Sequence, residues 1–151
     1  MCIRDSFKSD DIQGHQRYSG FISELFRSGL IIPDENVFWY TTETKENLFD
    51  DPEEVLKRLG DNTAVVCYND EVAFGLVKCL LSAGRRVPED VAVVSFDNSN
   101  LSWISQVPIT SLSYEDRNIG RIAAQKLVDI LDGRDVSSEV LPWTFIQKES
   151  S

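Results

Sequence analysis

At 151 residues, with 42% hydrophobic and 26% charged residues, the chain has room for one ordinary globular domain or for part of a two-lobed one. Its formal net charge of −10, from 15 basic against 25 acidic residues, speaks against a surface that grips nucleic acid, because duplex binding needs Lys and Arg to neutralise phosphates. No apolar run approaches the ~20 residues that span a bilayer. Met1 to Asp10 has no apolar stretch able to serve as a signal peptide, so the chain reads as cytoplasmic. Cys2, Cys67 and Cys79 lack metal-ligand spacing and are odd in number; Cys67 in an apolar run and Cys79 on an apolar helix read as small buried hydrophobes in a reducing compartment.

Taken in chain order, residues 1–6 carry no pattern and read as a non-native start. A helix follows from about Ile12 to Ser28, with Tyr18, Phe21, Ile22, Leu25 and Phe26 on one face and Gly29 as a left-handed stop. Asn36 to Thr41 is an aromatic, β-branched strand candidate. Asp51-Pro52-Glu53-Glu54 opens the next helix with an N-cap acid, a proline in the first turn and carboxylates at the positive end of the dipole; Val55, Leu56 and Leu59 are its apolar side, and Gly60 ends it.

Ala64 to Tyr68 is a short apolar strand of the kind buried on both faces. Asp70 can cap the helix after it, where Ala73, Leu76, Val77, Leu80 and Leu81 form an apolar face wide enough either for a homodimer contact or for packing within the domain. Val91 to Phe96 is another buried strand. A loop from Asp97 to Pro108 leads to a short strand, Ile109 to Leu112, then a helix from about Glu115 to Leu131, and last a strand from Val140 to Ile146 interrupted by Pro142. Strands alternating with helices imply an α/β fold with a parallel sheet covered on both faces, and in such sheets ligands bind beyond the carboxyl ends of the strands.

Those ends are polar. Thr41-Thr42-Glu43, Asn69-Asp70 and Asp97-Asn98 supply carboxylates and amides that can bond several hydroxyls of one ligand. Trp39, Tyr40 and Trp103 lie near them in sequence and could form a flat wall for a sugar ring, although Trp39 and Tyr40 serve a core equally well. Catalytic chemistry has no support. His15, the single histidine, begins a helix and reads as a polar helix residue, and neither a phosphate-binding glycine loop nor a metal spacing occurs. No cofactor is expected.

Five segments, in order, are similar to motifs of the lac-repressor (LacI/GalR) family of transcriptional regulators. Arg17-Tyr18-Ser19-Gly20-Phe21 resembles its R-x-x-G-F helix start, and Asn69-Asp70-Glu71-Val72-Ala73 its N-D-x-x-A strand-to-helix junction. Val87-Pro88-Glu89-Asp90 through Phe96-Asp97 resembles its V-P-x-D…D segment, with Ser95 where glycine is usual. Pro108-Ile109-Thr110-Ser111-Leu112 resembles its P-x-L-T-T crossover, and Leu141-Pro142 the L-P before its last strand. The run from Lys8 to Arg17 is in particular similar to the arabinose-operon repressors.

This resemblance implies a periplasmic-binding-protein-like fold of doubly wound parallel sheets in two lobes. Residues 36–108 would be a complete second lobe, and residues 7–35 with 109–151 part of the first lobe and its crossover strands. Phe21, Ile22, Leu25, Ile122 and Leu127 would then pack on first-lobe strands that precede Phe7. The effector-contacting positions fall on Arg17, Asn69 and Asp97, with Tyr114 at the crossover; a ring-stacking residue is not assigned.

The implied protein is a repressor that senses a small sugar, L-arabinose or a similar pentose. It would act as a homodimer and reach operator DNA only through an N-terminal helix-turn-helix outside this sequence. A periplasmic sugar-binding protein of a transporter is the alternative within the same fold. The charge balance sets a first test: this chain, titrated against labelled duplex DNA at low salt, gives no saturable binding, and sub-micromolar affinity would contradict the reading.

Overall fold

A computed structural model describes residues 3–8, 12–45, 47–114 and 119–151. The strands are β1 (Ile3–Lys8), β2 (Val37–Tyr40), β3 (Ala64–Cys67), β4 (Ala92–Phe96), β5 (Thr110–Ser113) and β6 (Thr144–Ile146). The helices are α1 (Ile12–Arg27), α2 (Pro52–Leu59), α3 (Asp70–Ser82), α4 (Asn100–Ile104) and α5 (Ile119–Leu131), with a 3-10 turn over Asp34–Asn36. One six-stranded sheet runs β2-β1-β3-β4-β5-β6, parallel throughout except for β6, which is antiparallel to β5. The chain winds outward from β1 to β2 and then crosses to β3 on the other side. The switch point of the winding therefore lies between β1 and β3.

Local chemistry explains most of the boundaries. Asp51 accepts from the backbone N–H of Glu53 and Glu54, Pro52 sits in the first turn, and α2 closes at Gly60, whose φ is 56°. Asn69 caps α3, accepting from Val72 N–H at 3.1 Å, so the cap is not Asp70 as expected from sequence. Asp70 instead turns inward and is 1% exposed.

The alternation of β3 and β4 sets the two faces of the sheet. Val65, Cys67 and Val93 are buried with Leu76, Val77 and Leu80 of α3 in the main core, while Val66, Val94 and Phe96 turn to the side of α1. Leu76, Val77 and Leu80 are at most 5% exposed, so the apolar breadth of α3 is spent inside the domain rather than on a partner. Cys67 and Cys79 are buried, and burial, helped by Asp51, pushes the Cys79 thiol up; Cys2 lies outside the described residues.

Three sequence expectations are corrected. Residues 3–6, expected to carry no element, belong to β1, which pairs with both β2 and β3. The Ile-Arg-Asp-Ser stretch has neither the apolar run nor the alternation that marks a strand, so only its neighbours in the sheet reveal it. With β1 present, α1 packs on the same sheet as α3, and Tyr18 and Phe21 join its core, so residue 36 marks no boundary in the sheet. The strand expected from Val140 shortens to Thr144–Ile146 because Pro142 and its neighbours form no ladder.

The helix expected from Glu115 is described from Ile119, residues 115–118 lying outside the described set. It is the exception in packing. No residue of α5 is buried, and Ile119, Leu127, Val128, Ile130 and Leu131 are 48–76% exposed.

The carboxyl edge of the sheet is tied together by Asp70. Its carboxylate accepts from Ser95 Oγ on β4, from Ser111 Oγ on β5 at 2.8 Å, and from the backbone N–H of Ser99. Replacing it by Ala strands three buried or half-buried donors that came from separate segments. Asp70→Ala should lower the unfolding free energy by about 2–4 kcal/mol in a urea melt; a loss under about 0.5 kcal/mol would show that the serines satisfy one another without it.

Candidate functional site

The carboxyl ends of β3 and β4 meet the side of α1 at Arg17. Helical spacing places Gln13, Gln16, Arg17, Gly20 and Phe21 on the face of α1 turned toward the sheet, where they enclose an open cavity of about 480 Å³ with Val66, Val94, Phe96, Leu112, Tyr114 and Trp143. The Arg17 side chain is only 8% exposed. One guanidinium nitrogen donates to the carbonyl of Tyr68 at the end of β3, and another to Asp97 Oδ1 at 2.9 Å just beyond β4. The guanidinium carbon lies 4.8 Å from the Tyr68 ring centre, 4.7 Å from that of Phe96 and 5.9 Å from that of Trp143. Those rings hold the cation while leaving the outer oxygen of Asp97 accessible, the Asp97 side chain being 43% exposed.

Asp97 has a φ of 98° and Asn98 a φ of 49°, two consecutive non-glycine residues on the left-handed side, a conformation costing about 1–3 kcal/mol at each sparsely populated position. The turn persists because its amides are occupied: Asp97 N–H donates to Leu112 O at 2.8 Å, Asn98 N–H to Ser111 Oγ at 3.0 Å and Ser99 N–H to Asp70. This backbone swings the Asp97 carboxylate out of the path of β4 and across to Arg17.

The four residues singled out from sequence fare differently. Arg17 and Asp97 form one ion pair, Arg17 on the helix α1 that packs on the sheet and Asp97 just after β4 of the same sheet, rather than facing each other from two lobes. Tyr114, at the end of β5, lines the cavity. Asn69 follows Tyr68, whose carbonyl Arg17 holds, but its Oδ1 is committed to capping α3, which leaves the amide nitrogen as the group it can offer.

The expected aromatic wall lies elsewhere. Tyr40 is buried in the core, Trp39 packs against His15 and Tyr18 with ring centres 5.3 and 4.9 Å away, and Trp103 lies under the Lys148 ammonium. The rings that line the cavity are Phe21 from α1 together with Phe96, Tyr114 and Trp143, with the Trp143 ring 4.2 Å from that of Tyr114 and set edge-on to Phe96 at 5.7 Å. Sequence reasoning missed Trp143 because it read residues 140–146 as a strand. The signal available was a tryptophan directly after Pro142, in a segment that cannot bury both of its faces.

Set chemically, the site offers a half-exposed carboxylate, amide side chains from Gln13 and Gln16, and a flat apolar wall. That combination suits a small polyhydroxylated ring, whose hydroxyls bond the polar groups while its C–H face lies on the aromatics. Among the described residues no cluster of His, Cys, Asp or Glu could hold a metal ion.

Comparison with known proteins agrees with this architecture. The family model for the periplasmic binding protein-like domain matches residues 1–151. The arabinose metabolism transcriptional repressor of Halalkalibacterium halodurans is 34% identical over 131 residues, covering 83% of this chain and 34% of the relative; that of Geobacillus stearothermophilus is 32% identical over 137 residues, covering 89% and 38%. The chain thus spans little more than a third of the length of these relatives. Among solved structures, the transcriptional regulator CelR in complex with cellobiose superposes with a TM-score of 0.82 at 29% identity, covering 99% of this chain and 46% of that one. These relatives are regulators rather than enzymes. Matched along its whole length, the chain belongs to the periplasmic binding protein-like domain family, alongside the LacI-type transcriptional regulators.

Proposed function

We propose that this chain is the greater part of the sugar-sensing domain of a LacI-type transcriptional repressor, and that its effector is L-arabinose or a similar pentose. The observation that carries the reading is the Arg17–Asp97 ion pair at the carboxyl edge of the sheet, backed by the ring wall of Phe96, Tyr114 and Trp143. The carboxylate accepts from two adjacent hydroxyls, the guanidinium fixes its orientation, and the wall takes the C–H face of the ring. The arabinose repressors among the relatives support a pentose over a larger sugar. The cellobiose bound in the structurally similar CelR supports the general assignment to a sugar.

In this reading α5 belongs to a neighbouring lobe whose strands lie outside the chain, which accounts for its bare apolar side. Sugar would close that lobe onto the site and change the spacing of DNA-binding heads in a homodimer, a coupling of about 1–3 kcal/mol in systems of this type. Operator contacts belong to a helix-turn-helix preceding this segment, in keeping with the net charge of −10 here. Such a regulator works in the cytoplasm.

Two substitutions in the full-length protein test the site. Asp97→Ala should weaken L-arabinose binding by about ten- to a hundred-fold in calorimetric titration, from the loss of charge-assisted hydrogen bonds, while operator affinity without sugar stays within about two-fold. Unaltered sugar affinity in a folded Asp97→Ala protein would sink the assignment. Trp143→Ala should cost about three- to ten-fold through lost ring stacking and Trp143→Phe much less; equal effects of the two would remove Trp143 from the wall.

A further inference from the structure

The turn that presents Asp97 is held from a second side by a residue far away in sequence. Lys148 follows β6, and its backbone is fixed on β5: its N–H donates to Thr110 Oγ1 at 2.9 Å, and its carbonyl accepts from the same hydroxyl at 3.3 Å. Two residues on, Ser150 is fully buried, with its amide on Pro108 O, its hydroxyl on Val93 O and its carbonyl receiving Val93 N–H. The stem that carries Lys148 is therefore rigid. From it the ammonium reaches Asn98 Oδ1 at 2.7 Å and Ser102 Oγ at 2.7 Å, and it lies 4.0 Å from the Trp103 ring centre. Asn98 is the second of the two left-handed residues.

We propose that Lys148 is a positioning residue for ligand recognition: by holding the Asn98 side chain it keeps the Asp97 turn in the left-handed geometry that aims the carboxylate at Arg17. The proposal rests on the sugar-binding reading of Asp97. Asp70 and Ser111 hold the turn through its amides, and these contacts leave the Asn98 side chain undetermined. A charged donor fixed on β5 closes that freedom.

The geometry singles out an ammonium for the task. Ser102 Oγ donates to Asn98 Oδ1 only at 3.4 Å, whereas Lys148 is within 2.7 Å of both groups and gathers them onto one centre. Burial pushes the Lys148 ammonium below its ordinary value, with the Asp70 charge opposing the shift. A lysine kept there against that penalty is one whose ammonium is in use, on two oxygens and a ring face. Lys148 also lies just beyond β6, the strand by which the chain returns to the sheet after the excursion that carries α5.

The test is amide hydrogen exchange, read by NMR on this 151-residue chain without any sugar. Lys148→Met and Lys148→Gln should speed exchange at Asn98 and Ser99 about ten-fold or more while Val66 and Val93 change little, and Lys148→Arg, which keeps the charge and several donors, should stay within about two-fold of the parent. Unchanged exchange at Asn98 and Ser99 in both neutral variants would overturn the proposal. An equal rise across Val66 and Val93 would overturn it too, by reducing Lys148 to a general stabiliser.

L-arabinose titration of the full-length protein supplies the second arm. Lys148→Met should weaken binding about three- to ten-fold, with Lys148→Arg restoring it. Full affinity in a Lys148→Met protein whose turn has loosened would refute positioning. If the parent itself gives no arabinose signal, the sugar reading fails, while the exchange result still decides whether Lys148 holds the turn.

Discussion

Taking the Asp70 carboxylate out of water is costly unless every oxygen finds a donor, and that requirement organises the carboxyl edge of the sheet. The donors come from β4, from the turn after it and from β5, so the charge can be satisfied only when these three segments reach the start of α3 together. Asp70 also occupies the first turn of α3, where the helix dipole favours an anion, with Asn69 beside it accepting from Val72 N–H. Once that edge is fixed, the amides of the left-handed turn at Asp97 and Asn98 are held with it. A strained conformation is then maintained without any glycine.

Arg17 works on a different principle. Its charge is mostly shielded from solvent, yet among the described residues it has a single carboxylate partner, and that partner is half exposed. The remainder of its stabilisation comes from the Tyr68 carbonyl and from ring faces on two sides. Such a guanidinium tolerates the loss of its anion to a ligand better than one relying on a single ion pair, since an exposed pair contributes about 0–1 kcal/mol. It can therefore give up its contact with Asp97 without leaving its place.

Much of the fold was legible because its elements carry strong local signals. Asp51-Pro52 at the start of α2, Gly60 at its end, and the apolar runs of β3 and β4 were placed within one or two residues. The elements that escaped are those whose reason is not local. β1 takes its conformation from two neighbouring strands, and α4 is a five-residue helix too short to show a period. Misplacing β1 also displaced α1, which was assigned to another lobe although it covers this sheet. In the site, Arg17 and Asp97 could be named because motif positions identify them. The stacking rings could not, since Trp39 and Trp143 are indistinguishable until the sheet decides that one faces His15 and Tyr18 and the other the cavity.

Ser113 and Thr144 are register partners across β5 and β6, so the chain leaves the sheet and returns to it at a single point. Everything between them, α5 included, is topologically an insertion on a narrow neck, and the sheet would keep its register whatever its length. Tyr114 is the first residue of that neck on the way out and Trp143 the last on the way back, and their rings lie 4.2 Å apart. The two halves of the wall are thus clasped where the insertion is attached. Any force that twists the insertion reaches both rings together, while α1, which carries Arg17, and β4, which Asp97 follows, are not part of that neck.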